Sequence, residues 1–275
     1  MQALLAQRLL PSWTVILVIV LHAILAVGTD LSPDEAHYAL YATHLDWSYY
    51  DHPPMVGWVQ WPFVWAGSSD FLLRMAPMFA WLVALWTLVQ LVDALYPTLH
   101  QTTLWCCRPD VLLFCLSPML FLLGLAWVPD SMLMLLTCRV MCVTWRLTRA
   151  SDTKPLALWG ELGIYLGLAG LSKYTAVVLA FGVVFTLWWA YRWRLFTQKG
   201  AWLALALALL CVTPVVLWNA ANDWASFHFQ FSHAKGSSGW HLKRVLIYLL
   251  VVVLVYGVGL PWWVWQGTRC VVQFF

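Results

Sequence analysis

Ser32–Phe63 reads SPDEAHYALYATHLDWSYYDHPPMVGWVQWPF, and the placement of the whole chain turns on it. With Asp30 just before it, the stretch carries five carboxylates (Asp30, Asp34, Glu35, Asp46 and Asp51) and three histidines. It lies between two strongly apolar segments, and no Lys or Arg occurs from Asp30 to Phe71. A polar, aromatic loop of this length is costly beside so much hydrocarbon unless it does something. It reads as an active-site loop at a membrane surface.

The rest of the composition agrees. Of 275 residues, 63% are hydrophobic and only 10% charged, with a mean hydropathy of +0.76. Soluble domains carry roughly 25% charged residues, so a water-soluble fold is excluded. Twenty-one Trp and ten Tyr suit a polytopic protein whose helix ends sit at the headgroup level. The net charge of +3 is scattered through short loops and forms no nucleic-acid face. Cys106, Cys107, Cys115, Cys138, Cys142, Cys211 and Cys270 fall in or beside apolar runs without metal spacing. They read as small core residues. The apolar run after Arg8 is long for a cleaved leader, and reads as a retained signal-anchor.

A span needs about 20 mostly apolar residues. Working outward from the loop, eight candidates emerge: 12–29, 71–96, 110–127, 131–149, 156–172, 175–191, 201–218 and 242–265. The apolar segment 54–66 is too short and opens on two prolines, so it suits an interfacial or re-entrant helix. With the N-terminus inside, most Lys and Arg fall on the inner side, among them Arg8, Arg108, Arg146, Arg149, Arg192 and Arg194. Lys173, Lys235, Lys243 and Arg244 fall outside, with Arg74 at a helix start. The positive-inside rule therefore puts loops 30–70, 128–131, 172–175 and 219–241 outside. The fold expected is an all-α polytopic transmembrane bundle of about eight spans, its charges at helix ends and its first outer loop partly helical from Asp34 to Leu45.

The outer side is where unusual side chains collect. Asp34 and Glu35 follow Ser32-Pro33 and open a helical pattern. Acidic residues there can cap a helix or supply a general base. In Asp51-His52-Pro53-Pro54 the prolines hold the chain extended. That presents a carboxylate and an imidazole able to bind a metal or a phosphate, unless the turn is simply exposed. Asp130 follows Pro129, where a helix N-cap is the plain alternative to a second catalytic carboxylate. Lys173 lies between two spans; it can snorkel, or hold a lipid phosphate. The loop after Asn222 carries alternating Phe227, Phe229 and Phe231 with His228 and His233, as an interfacial strand or helix would.

With these residues collected, the pattern resembles the GT-C superfamily of integral membrane glycosyltransferases. The branch is glycosyltransferase family 39 and its relatives, which holds protein O-mannosyltransferases and bacterial aminoarabinose transferases. The resemblance rests on PDEAHYALYATHLDWSYYDHPPMVGW, SSDFLLRMAP, SPMLFLLGLAWVPDSML, GLAGLSKYTAV and NDWASFHFQFSHA, in order from residue 33 to residue 234. It implies small helices of the first outer loop packed over a transmembrane bundle. It also implies a polyprenyl-phosphate sugar as donor, membrane lipids as surroundings, and a glycolipid, polysaccharide or protein as acceptor. By position, Asp34 resembles the catalytic carboxylate, with Glu35 beside it and Asp130 as the second-loop carboxylate. Arg74, Lys173, Tyr174, His52 and His233 take the place of substrate contacts, and Asp51 with His52 that of a divalent-metal or phosphate site. The implied setting is a bacterial-type plasma membrane with the active face outward. The module covers residues 1–265, while the tail 266–275 is unlike the family and reads as an aberrant or truncated end.

Transfer from a polyprenyl phosphate needs a carboxylate to take the acceptor's proton and cations to stabilise the departing phosphate. The outer loops supply both. Two rivals stand beside this reading: a transporter or flippase of lipid-linked substrate, and an inactive remnant that only binds lipid. Transporters commonly show inverted repeats, and no such repeat is visible here.

Overall fold

In the computed structural model, residues 13–96, 108–149, 155–235 and 242–256 are described, and all their regular structure is helical. In chain order the helices are α1 (Trp13–Gly28), α2 (Pro33–Thr43), α3 (Met55–Trp65) and α4 (Asp70–Leu95). There follow α5 (Pro109–Leu116), α6 (Pro118–Leu125), α7 (Pro129–Thr148) and α8 (Leu156–Ser172). The last are α9 (Ala176–Tyr191), continued by a 3-10 turn to Thr197, α10 (Lys199–Ala221), α11 (Ala225–Lys235) and α12 (Leu242–Tyr256).

The expected helices exist, though among the described residues fewer than eight are long and apolar enough to count singly as spans. Three described helices are long and apolar enough to cross a bilayer: Asp70–Leu95, Ala176–Thr197 and Lys199–Ala221. The number rises to five if two bent pairs each count once, and α8 is apolar but short. One pair is α1 with α2, bent by 81°, and the other is α6 with α7, bent by 114°. Proline explains much of the difference. Pro118 breaks the expected span 110–127 into two eight-residue helices, because the residue before a proline is pushed out of helical geometry. Ser117 is accordingly extended, at φ −70° and ψ 117°. The expected span 242–265 is described only to Tyr256, and the tail 266–275 lies outside the described residues.

Charges are not confined to helix ends either. Arg139 sits in the middle of α7, between the rings of Trp86 (5.4 Å) and Tyr165 (5.7 Å). Such cation–π contacts partly replace the water an arginine loses inside a membrane.

The tightest packing joins α8 to α10. A methyl group on Gly163 would lie 2.4 Å from the Ala204 carbonyl oxygen, and one on Gly167 2.4 Å from Cys211 Cβ. Small residues at this spacing let two membrane helices approach backbone to backbone. Gly163→Val is therefore expected to cost about 1–3 kcal/mol or more, read as a lower unfolding temperature in detergent. An unchanged temperature would mean that the two helices separate without loss.

Around this pair, α7 and α9 close a core of Val140, Val143, Leu147, Leu158, Trp159 and Leu162. A second core joins α1 to α4 and α5 through Val15, Val18, Trp81, Ala84 and Phe114. The loop helices α2 and α3 rest on the first turns of α4 and α7, through Tyr38, Val56, Ala76 and Trp127.

Candidate active site

The loop helix α2 begins with a full capping box. The Glu35 backbone N–H donates to Ser32 Oγ, and the Ser32 N–H donates to Glu35 Oε2 at 2.9 Å. This separates the two adjacent carboxylates. Glu35 is buried and takes the capping role, while Asp34 is exposed and has no hydrogen-bond or ion-pair partner among the described residues.

Glu35 is also locked from the other side. Arg74 Nε donates to Glu35 Oε1 at 2.9 Å, and its Nη2 to Oε2 at 3.0 Å. The remaining Arg74 N–H groups reach Thr29 O (2.7 Å), Thr29 Oγ1 (3.0 Å) and Asp30 O (2.9 Å). Thus every guanidinium donor has an acceptor, and the side chain caps the end of α1 while tying α4 to α2. Burial alone would raise the Glu35 pKa, but the hydrogen bonds from Arg74 and Ser32 outweigh it and hold it below the usual carboxylate range. Glu35, expected as a catalytic group, and Arg74, expected as a phosphate contact, are here buried against each other, and every Arg74 donor is taken by a protein acceptor.

One turn beyond Asp34, the buried Tyr38 marks where the site converges. Burial pushes its phenol up, and the charges of Asp51, Asp34 and Asp130 push it further the same way. Three carboxylates from three segments therefore act electrostatically on one hydroxyl. Tyr41, a turn further along, donates to Asp51 Oδ1, and its ring stacks on Tyr49 at 3.8 Å. Asp51 Oδ2 is 3.4 Å from His37 Nε2 and 3.8 Å from His52 Nε2. His52 packs edge-on to Tyr38 at 5.4 Å, and its buried Nδ1 has no partner among the described residues. Burial lowers the His52 pKa, Asp51 opposes that, and Lys173 adds to it. The imidazole is thereby held towards its neutral form.

Asp130 and Lys173 meet across the bundle, Lys173 Nζ lying 2.6 Å from Asp130 Oδ2. Asp130 is in the first turn of α7 and pairs with the lysine instead of capping its own helix. The turn that carries it is pinned by Trp127, fully buried, whose Nε1–H donates to Val56 O at 2.8 Å. Lys173 ends α8 in extended geometry, and the short link Lys173–Thr175 aims it at α7. Next to it, the Tyr174 hydroxyl lies 3.4 Å from Ser48 Oγ, with its ring edge-on to Phe227 at 5.5 Å.

A cavity of about 520 Å³ starts at Tyr174 and Phe227 and runs between α8, α9 and α10 to Trp159, Leu195 and Ala201. Its walls are almost wholly apolar. Its Tyr174 end is next in the chain to Lys173, and from there it runs into the apolar part of the bundle.

Helix α11 closes the cluster from above. Asp223 (φ 53°) and Trp224 (φ 58°) are both left-handed, a strained turn for residues with side chains. It is held by buried Asn219: the Trp224 N–H donates to Asn219 O at 2.8 Å, and the Ser226 N–H to Asn219 Oδ1 at 3.1 Å. From α11, Ser226 Oγ donates to Tyr49 O and Gln230 Nε2 to Asp51 O, each at 2.7 Å.

Of the residues singled out from sequence, Asp34, Asp51, His52, Asp130, Lys173 and Tyr174 come together. Glu35 and Arg74 lie below them as support. His233 does not join: it is exposed and stacks on Phe229 at 5.6 Å. As to metal, no three His, Cys, Asp or Glu side chains among the described residues stand where they could share one ion. Sequence reasoning missed Tyr38, Tyr41, His37 and Gln230. The i, i+4 spacing of Asp34 and Tyr38 was the available signal, since it puts both on one helix face.

Comparison with known proteins supplies the lineage. No curated protein sequence matches the chain. The fold is similar to that of ArnT from Cupriavidus metallidurans, solved in the apo state, with a TM-score of 0.64 and 16% sequence identity. The likeness covers 90% of this chain and 49% of that one, so the chain spans about half the length of the protein it matches. Residues 51–218 match the family described as dolichyl-phosphate-mannose-protein mannosyltransferase, which is more than half of the chain. It is therefore an all-helical integral membrane protein of the GT-C type and belongs to that mannosyltransferase family.

Proposed function

We propose that this chain provides the donor-binding and catalytic module of a membrane glycosyltransferase, which moves a sugar from a polyprenyl phosphate to an acceptor hydroxyl on the outer face. One observation carries the reading: the Lys173–Asp130 pair, with Asp51, His52 and Asp34 near it, adjoins through Tyr174 the end of an apolar cavity that runs into the bundle. A lipid phosphate has that shape, with a charged head and a hydrocarbon tail. Asp34 takes the proton of the acceptor hydroxyl as its oxygen bonds to the anomeric carbon. The bond from that carbon to the phosphate oxygen breaks, and the polyprenyl phosphate leaves with the electron pair. Lys173 stabilises that leaving phosphate, and the buried His52 Nδ1 adds a polar contact beside it. Incubation of the purified chain with a labelled polyprenyl-phosphate sugar and a mixed acceptor pool tests the reading. Labelled acceptor supports it, and donor binding without transfer in any pool counts against it.

Lys173 is expected to act first on binding. Lys173→Ala should weaken donor affinity about ten- to a hundredfold, because a charge-assisted contact contributes about 1.5–3 kcal/mol. Lys173→Arg should recover part of it. Titration of the donor by fluorescence checks both, and an unchanged affinity in Lys173→Ala removes the phosphate contact from the mechanism.

The outward orientation has its own test. Ser48 is fully buried and a poor reporter, whereas neighbouring Trp47 is 56% exposed. In a chain otherwise free of cysteine, Trp47→Cys should react with an impermeant thiol reagent applied outside cells. Labelling only after the inner face is opened would reverse the topology.

A further inference from the structure

A second cavity, of about 530 Å³, lies between α4, α7 and α9. Leu91, Leu95, Thr144, Trp145, Gly182 and Thr186 line it. Val183 of α9 borders both cavities, so that single helix separates this one from the cavity below the charged cluster. It extends to the ends of α4 and α7 farthest from Asp130 and opens sideways past the exposed Met141 and Val178.

Three threonines line it, and two behave as membrane threonines do. Thr148 donates to Trp145 O and Thr186 to Gly182 O, both at 2.8 Å. Thr144 does not. It is 6% exposed and lines the cavity as a residue, and its Oγ1 is buried and has no partner among the described residues. A buried hydroxyl in that position calls for an acceptor from outside the protein.

Just beyond the lining residues, at the ends of α7 and α9, the side chains are basic and aromatic. The Arg149 guanidinium lies over the ring of Trp145 at 3.8 Å, and that of Arg192 over Trp189 at 4.3 Å. Tyr191 Oη donates to Leu147 O at 2.6 Å and so joins the ends of α7 and α9 at this level. Thr144 lies five residues before Arg149, about 7.5 Å along the helix. In a glycerophospholipid the ester carbonyls lie a short step below the phosphate, and the acyl chains lie below them.

We propose that this cavity binds one anionic phospholipid of the leaflet opposite the charged cluster. Its headgroup phosphate meets Arg149 and Arg192, an ester carbonyl accepts from Thr144, and one acyl chain runs along α9 past Gly182. Cations and aromatic rings at the headgroup level attract such lipids, and a chain in the cavity fills the space beside α9.

The test uses the full chain, delipidated in detergent, with phosphatidylglycerol or phosphatidylcholine added back and retention read by native mass spectrometry. One phosphatidylglycerol should be retained in preference to phosphatidylcholine. Gly182→Leu blocks the cavity without a clash, because no protein atom lies within 4 Å of a Cβ built there. It should lower retention by about tenfold or more, since loss of burial of two methylenes is already enough for that. The far-ultraviolet dichroism and unfolding temperature should stay unchanged. Thr144→Val should lower retention about fivefold, as for one lost hydrogen bond. Undiminished retention in Gly182→Leu, or equal retention of the two lipids, overturns the proposal. So does displacement of the bound lipid by equimolar polyprenyl phosphate, which would make the cavity a second donor-chain site.

Discussion

Asp34→Asn is expected to lower sugar transfer by about 10²–10⁴-fold, the usual contribution of a positioned general base. The amide keeps the size of the carboxylate and cannot take a proton. Because Asp34 is exposed and has no partner among the described residues, the substitution disturbs no contact that holds α2 in place. Donor binding, measured by titration, should therefore persist. Its neighbour behaves in the opposite way. Glu35→Gln weakens the capping box and the Arg74 pair, so it should lower stability and transfer together. If Asp34→Asn transfers sugar at nearly the parent rate, the base is Asp130 or Asp51, both within reach of Tyr38.

Arg74→Met should be the most damaging substitution for the fold. It leaves Glu35 as a buried carboxylate without its cation and removes the cap from α1. Breaking one partner of a buried pair costs about 3–5 kcal/mol. In a chain of this size that lowers the unfolding temperature by roughly 10 °C, as read by differential scanning fluorimetry in detergent. The double variant Glu35→Leu with Arg74→Met should recover part of the loss, because no uncompensated charge stays buried. Were Arg74 a phosphate contact instead, Arg74→Met would keep its stability and lose donor affinity.

The contrast between Asp34 and Arg74 shows where sequence was sufficient. Acidic residues after Ser32-Pro33, a Pro-fixed Asp51-His52 and a lysine between two apolar runs are local patterns, and the fold brings Asp51, His52 and Lys173 near one another. Long-range pairing is not local. Nothing near Arg74 indicates that its partner lies 39 residues earlier, or that Lys173 meets a carboxylate 43 residues before it. A lone cation in an apolar setting suits a ligand and a protein partner equally well, so the sequence alone does not separate Arg74, which is enclosed, from Lys173, which is part-exposed. The breaks within the apolar stretches were hidden for a related reason. A hydropathy average does not register the extended break before Pro118 or the 114° turn before Pro129. Arg139 escaped notice because two aromatic rings from other helices make its depth tolerable.

The grip of α11 on the first loop has a consequence for how the site can change over time. Ser226 and Gln230 hold Tyr49 and Asp51 by their main-chain oxygens alone, and Trp58 holds Asp46 in the same way at 2.9 Å. A carbonyl is the same whatever side chain accompanies it. These three bonds therefore survive a change of the displayed side chain, while the Tyr49 ring, the Asp51 carboxylate and the Asp46 carboxylate add holds that such a change would remove. A substitution at any of the three would loosen the loop without releasing it.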